Sequence, residues 1–292
     1  MKTITVNKLP SSISLSLGAL RSSSKKNVAV DAMPAVTYVR PRVVVNGRHV
    51  AAYAKVCGFA QAHGVPITYL FTQAFPLAMM LFGSKACPWP AMGIVHLSNR
   101  IEQMARINAG DELRIELSTG ALYAHDKGQV FMLHFRAYRG DALVWQNDMT
   151  ALRMGVKNPR GPKYESQLSD TVVLSHQADF FAAAGIGRRY GRVSGDINPI
   201  HLTALTAKLL GFRKAIAHGM WTLGRALAAQ QPPGGLDQAQ AHCDFKLPIF
   251  LPGQVALWQH PVSGPRREFE VRNFAGDKPH MRGLFVWNEN RR

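Results

Sequence analysis

Asp196 and His201 stand five residues apart in Tyr190-Gly191-Arg192-Val193-Ser194-Gly195-Asp196-Ile197-Asn198-Pro199-Ile200-His201. A carboxyl and an imidazole at such a spacing can hold one water between them. One group takes its proton while the other orients it or returns a proton to carbon. Asn198 suits a helix N-cap, and Pro199 suits the first helical position, where a missing N–H costs nothing. The spacing predicts a loop through Ser194, Gly195 and Asp196, then a helix with His201 in its first turn, both groups near the positive end of the dipole. Farther on, Ala215-Ile216-Ala217-His218-Gly219-Met220 places Gly219 ahead of a helical run. Its N–H can face a carbonyl oxygen that gains charge, and with no side chain it allows close approach.

Each residue also has a plain structural reading. Asp196 can be a turn former bonded to its own backbone, His201 an interior histidine, Gly219 a helix-start glycine and Asn198 a cap alone. His218 reads as structural, its ring aimed away from the Gly219 N–H. No third ligand stands at metal-like spacing, so no metal is expected. No Gly-x-Ser-x-Gly elbow or phosphate-cradling glycine loop occurs either.

Together, Gly195-Asp196-x-Asn198-Pro199-x-His201 and the following His218-Gly219 resemble the signature of the MaoC-like, or hydratase-2, hot-dog enzymes. The close match covers roughly residues 165–260, and the whole chain more loosely resembles two-hot-dog 3-hydroxyacyl-thioester dehydratases. The resemblance implies reversible hydration of trans-2-enoyl thioesters to (R)-3-hydroxyacyl thioesters, with no cofactor. It puts the acid, imidazole and oxyanion roles on Asp196, His201 and Gly219, with Ser194, Gly195, Asn198 and Pro199 shaping the loop. The substrate would be an acyl-CoA or acyl-ACP thioester. A hot-dog acyl thioesterase, or a non-catalytic binder of acyl thioesters or nucleic acid, are the competing readings. Thiol release separates the first, and steep salt sensitivity with indifference to Asp196→Asn the second.

The elements that must position these groups read as two similar halves. In the second, a short helix-like segment at Ser175–Ala184 precedes the Asp/His loop, and Pro199–Leu210 makes a helix that Gly211 can end. A helix at Met220–Gln230 stops at Pro232-Pro233-Gly234-Gly235, and strands follow at His242–Leu247, Gln254–Gln259, Arg267–Asn273 and Arg282–Trp287. The first half has helix-like segments at Val50–His63 and Phe71–Phe82, the latter kinked or interrupted by Pro76. Its strands are Ile94–Ile101, Glu112–Ser118, Val130–Tyr138 and Leu143–Leu152. Ile107-Asn108-Ala109-Gly110-Asp111-Glu112-Leu113 parallels Ile249-Phe250-Leu251-Pro252-Gly253-Gln254-Val255, suggesting a duplication. A helix followed by antiparallel strands, twice, is an α+β pattern. Two sheets wrapping one helix each and joined edge to edge make the double hot dog, which removes exposed strand edges. The first half lacks the Asp/His loop near Thr68–Phe75, so one active site per chain is expected. Its apolar helix, with Phe71, Phe75, Leu77, Met79, Met80 and Phe82, is core and a candidate wall for an acyl tunnel.

The 292 residues divide into a flexible or loosely docked N-terminal arm (1–30), a degenerate unit (31–155), a linker (156–164) and a catalytic unit (165–292). The arm reads as no targeting segment, since serines interrupt its apolar stretch. Three dispersed cysteines fit a reducing cytoplasm. No apolar run reaches the ~18–20 residues of a membrane span. The net charge of +17 bears on partners rather than fold. Arg188, Arg189 and Arg192, just before the loop, are candidate contacts for a coenzyme A phosphate or an acidic acyl carrier protein. No aromatic-interleaved basic motif supports nucleic acid, and the sequence leaves open whether the chain pairs further, a homodimer being the candidate assembly.

Overall fold

The computed structural model of the chain describes residues 2–168, 173–261 and 264–288. Residue 1 and residues 289–292, the outer ends of the expected arm and catalytic unit, lie outside the described residues, as do 169–172 and 262–263. The first half runs β1 (Lys2–Thr5), α1 (Ser12–Arg21), β2 (Val36–Val44), α2 (Gly47–Cys57), α3 (Tyr69–Gly83), β3 (Ile94–Gln103), β4 (Glu112–His125), β5 (Gly128–Arg139) and β6 (Ala142–Met154). The second runs β7 (Ser175–Ala182), α4 (Ile186–Ser194), α5 (Ala204–Lys208), α6 (Gly219–Ala228), β8 (Ala239–Phe245), β9 (Gly253–Gln259), β10 (Arg266–Asn273) and β11 (Pro279–Trp287).

All strands share one sheet in the order β1-β2-β4-β5-β6-β3-β8-β11-β10-β9-β7. Read outward from the β3–β8 seam, the two sides have the same connectivity, with β2, β4, β5 and β6 matching β7, β9, β10 and β11. The seam is antiparallel, from Ser98 opposite Asp244 to Gln103 opposite Ala239. This is the double hot dog expected from the sequence, with α3 and α6 as the two enclosed helices. Leu77, Ala78 and Leu81 of α3 and Leu223, Ala226 and Leu227 of α6 have no exposed surface.

The duplication shows a second signature. Tyr53-Ala54-Lys55-Val56-Cys57-Gly58 on α2 matches Tyr190-Gly191-Arg192-Val193-Ser194-Gly195 on α4. Both terminal glycines are left-handed, at φ +84° and +76°, a conformation that suits a helix C-terminus and a residue without Cβ. The two tyrosine rings meet with centroids 6.1 Å apart. In this alignment Phe59 occupies the position of Asp196, so the first half ends its helix in core where the second turns into chemistry.

Four expectations need correction. Ser175–Ala184 is not a helix: Ser175–Ala182 is the outer strand β7, the counterpart of β2, and its ladder to β9 overrides any local helical preference. The helix expected over Pro199–Leu210 is broken in two. A 3₁₀ turn at Pro199–His201 is followed by extended Thr203, whose side chain caps α5 afresh by accepting from the Thr206 N–H. With so short a turn, the dipole expected at Asp196 and His201 is not supplied there. Pro76 does not interrupt α3. The Arg40 guanidinium donates to the Gln73 carbonyl at 2.6 Å, which braces the helix in the turn before the proline. Finally, residues 2–24 are no loose arm: β1 pairs with β2, and α1 packs on α3 where Gly18 meets Gly83.

Candidate active site

Helix α4 builds the site with glycines. A Cβ at Gly187 would strike the His201 carbonyl, and one at Gly191 would stand 2.9 Å from the Asp196 carbonyl oxygen. The two glycines, one turn apart, form a shallow bed on which the backbones of both reactive residues lie. Arg188 adds a donor, its Nη1 bonding the Leu202 carbonyl at 2.9 Å. Neither glycine was singled out from the sequence, although the Gly-x-x-x-Gly spacing was readable there.

The loop itself is locally tied. The Ser194 hydroxyl accepts from the Asp196 N–H at 3.2 Å, and the Asp196 carboxylate accepts from the Asn198 N–H at 3.1 Å. Asn198 caps the 3₁₀ turn through the Ile200 N–H, with Pro199 at its first position, as expected. The turn-forming reading of Asp196 is therefore true of one oxygen, and leaves the other available.

Across this loop stand two imidazoles. His201 is buried and its Nδ1 donates to the Ile216 carbonyl at 2.8 Å, which fixes the tautomer with a lone pair on Nε2. Burial pushes its pKa below the ordinary 6.5, while Asp196 and the Ile216 carbonyl oppose that shift. The ring of His218, left structural by the sequence reading, lies face to face with His201, centroids 3.7 Å apart and planes inclined 27°. Its Nε2 donates to the Asp196 carbonyl at 3.0 Å, and Tyr190 covers its other side at 4.9 Å. Burial, and then the neighbouring His201, drive the His218 pKa well below 6.5, so it stays neutral.

Ring nitrogens of both histidines and a carboxylate oxygen of Asp196 lie within 4.8 Å of one another. A third potential metal ligand is thus present, contrary to the sequence reading. The stack, however, is poorly made for an ion. Ring planes inclined so little meet far beyond the ~2 Å at which imidazole binds a metal, and the lone pairs pass one another. The same separation between a carboxylate oxygen and an imidazole nitrogen suits one water, hydrogen-bonded at about 2.8 Å to each.

Gly219 opens α6 directly beside this cluster. His218 holds the N-cap position but its side chain makes no capping bond, so the first-turn N–H groups keep their outward direction. The Phe245 ring rests on Gly219, 2.8 Å from where a Cβ would stand. Arg189 and Arg192 are exposed on α4, whereas Arg188 is engaged with Leu202 as described. A pocket lined by residues that include Ser98, Arg100, Asp148, Tyr164 and His242 contains none of the Asp196 cluster.

Fold and site together define a double hot-dog protein with an acid–imidazole pair beside the start of its second enclosed helix. The MaoC like domain family matches residues 168–278. The chain is 31% identical to 3-hydroxyacyl-thioester dehydratase X of Mycobacterium tuberculosis over 255 residues, covering 86% of this chain and 89% of that protein. The crystal structure of that dehydratase superposes with a TM-score of 0.73 at 29% identity, over 86% of this chain and all of the other. A second M. tuberculosis protein with a double hot-dog fold, 12% identical, superposes at a TM-score of 0.56 over 85% of this chain and 93% of its own. The chain belongs to the MaoC-like dehydratases.

Proposed function

We propose that the chain catalyses the reversible hydration of trans-2-enoyl thioesters to (R)-3-hydroxyacyl thioesters, acting as a hydro-lyase of fatty-acid metabolism. The observation that carries this reading is the gap of at most 4.8 Å between Asp196 and His201, with the His201 tautomer fixed by Ile216. Neutral His201 takes a proton from the water whose oxygen bonds the β-carbon, and the imidazolium and carboxylate pair returns that proton to the α-carbon as the enolate collapses. Asp196, held through its backbone carbonyl by His218, orients that water and favours the imidazolium that forms. The Gly219 N–H, at the positive end of α6, receives the thioester oxygen as it gains enolate character. Ser194, Gly195, Asn198 and Pro199 hold the loop in shape.

Two further assignments support the same reading. Arg189 and Arg192, exposed beside the loop, suit a coenzyme A phosphate or an acidic acyl carrier protein, while Arg188 serves the fold. We divide the chain into a non-catalytic unit at 31–155 and a catalytic unit from 165, joined through 156–164. No helix among the described residues is long and apolar enough to cross a membrane. The three cysteines are buried and free, which suits a reducing cytoplasm.

The test follows enoyl-thioester absorbance with trans-2-octenoyl-coenzyme A. Wild type should consume it and yield the (R)-3-hydroxy product, and Asp196→Asn and His201→Ala should each lower kcat by about 10²–10⁴-fold. Release of free thiol instead of hydration would make the protein a thioesterase. Full activity in either variant would remove the dyad from the mechanism.

A further inference from the structure

Helix α1 is apolar on two opposite faces. Leu15 and Ala19 are buried, on the side where Gly18 meets Gly83 of α3. Ile13, Leu17 and Leu20 follow one another at helical spacings, so they form a stripe on the side away from α3. They stand 67%, 47% and 47% exposed. Ser12, Ser14 and Ser16 border the stripe, and the helix carries no acid. A lone exposed leucine is ordinary, but three in a row on a helix whose other face already packs call for a partner.

Charge identifies that partner. Residues 2–26 carry Lys2, Lys8, Arg21, Lys25 and Lys26 and no carboxylate side chain. Arg21 ends the helix exposed, and Lys8 and Lys26 are exposed before and after it. Lys25 donates to the Ser84 and Cys87 carbonyls at 2.6 and 2.8 Å, which sets exposed Lys85 near the end where α1 finishes. Asp31, the first acid of the chain, pairs with Arg160 at 3.3 Å. A second copy of the same face would bring these cations against themselves across a two-fold axis. A layer of phosphate groups over hydrocarbon accepts both parts of the surface, the cations at the headgroups and the stripe beneath them.

We propose that α1 seats the protein on an anionic lipid surface, with Ile13, Leu17 and Leu20 in the acyl boundary and Lys8, Arg21, Lys26 and Lys85 at the headgroups. The helix is already formed and braced on α3, so docking has no new backbone to order. Its first residue, Ser12, holds its hydroxyl 3.4 Å from where a Cβ at Gly195 would stand. The anchored helix thus begins against the loop that carries Asp196. The inference does not draw on the dehydratase reading, and no thioester enters its test.

The whole chain is sedimented with vesicles of phosphatidylcholine alone and of an equimolar mixture with phosphatidylglycerol. Wild type should bind the mixture and not the neutral vesicles. A net charge of +17 attracts any anionic surface, so the deciding variant leaves charge unchanged. Ile13→Ser/Leu17→Ser/Leu20→Ser should weaken binding about a hundredfold or more, since each buried methylene strengthens it about fourfold. Arg21→Ser and Lys26→Ser should each weaken it about fivefold. The three apolar positions are exposed, so melting curves should match wild type; where they do not, Leu17→Ser alone replaces the triple variant, with a loss of about tenfold. Undiminished binding by the substituted protein would overturn the proposal and leave diffuse charge as the attraction. A wild-type dimer that the triple variant dissociates would overturn it in favour of a second copy. Failure of wild type to bind the anionic vesicles at low salt would overturn it in favour of an acidic protein.

Discussion

His218 is the residue whose importance the linear sequence conceals. It touches both members of the dyad, one through a stacked ring and the other through a backbone carbonyl, and it cannot share the proton because its own pKa is too low. His218→Phe keeps the stacking surface and removes the donor to Asp196. We expect kcat to fall about 10–100-fold with KM little changed, the split that a positioning residue produces when it misplaces a catalytic group. Equal losses in both parameters would make it a substrate contact. The pH profile belongs to the same scale. His201 must be neutral to accept a proton, and its pKa is lowered by burial against the opposing pull of Asp196. The acidic limb of kcat/KM should lie below pH 6.5, and in the residual activity of Asp196→Asn it should move lower still. A limb at or above 6.5 would contradict the assignment of His201 as base. The sequence could group Asp196 and His201 as one proposed pair because they lie five residues apart, and could add Gly219 because it opens the next helical run eighteen positions on. His218 could not be added, since its ring direction depends on how the strand-like approach to α6 meets the loop.

Two elements carry consequences beyond their own stability. The glycine bed of α4 makes loop placement a property of helix packing. Gly187→Ala introduces a methyl against the His201 carbonyl, a backbone atom with little room to yield. It should cost about 1–3 kcal/mol of stability, as overpacking does, and a larger share of activity than of fold. Activity retained at the wild-type level in a folded Gly187→Ala protein would show that the bed is dispensable. In α3, Arg40 ties its guanidinium to the Gln73 carbonyl about one turn before Pro76. Arg40→Met removes that charge-assisted bond, an expected loss of about 1–3 kcal/mol by denaturant melts. Unchanged stability in Arg40→Met would show that the bond contributes nothing. The apolar helices and most strands were plain from periodicity and breakers. The misread elements, β7 and the split 3₁₀–α5 turn, are those whose conformation is decided by a partner strand or by a capping threonine rather than by a repeating pattern.

At the scale of the molecule, folding holds several histidines, some buried and some half-buried, towards their neutral form. His96, His201, His218, His242 and His280 all have pKa values lowered chiefly by burial. The unfolded chain binds these protons more readily, so their contribution to stability is present above about pH 6.5 and is lost as pH falls towards the folded values, about 4 for His96. The melting temperature should fall steeply between pH 6.5 and 4, and less steeply in a His96→Phe variant. A flat profile over that window would show that other groups govern acid stability. The double hot dog was visible in the repeated order of elements. The mirrored seam was not, because which edges of two sheets meet is a long-range choice that no local signal records.

That seam has a consequence for how the molecule can move. From Ser98 opposite Asp244 to Gln103 opposite Ala239, the halves are laced by the same ladder that holds each sheet together. Helix α3 on one half and the Asp196–His201 pair on the other therefore cannot part like the jaws of a hinge without breaking a continuous run of hydrogen bonds. Entry and exit fall to rotating side chains, whose motions are far faster than the microsecond-to-millisecond closure of hinged domains. Such an enzyme gives up the specificity that a closing lid provides, and gains a turnover rate with no large rearrangement to wait for.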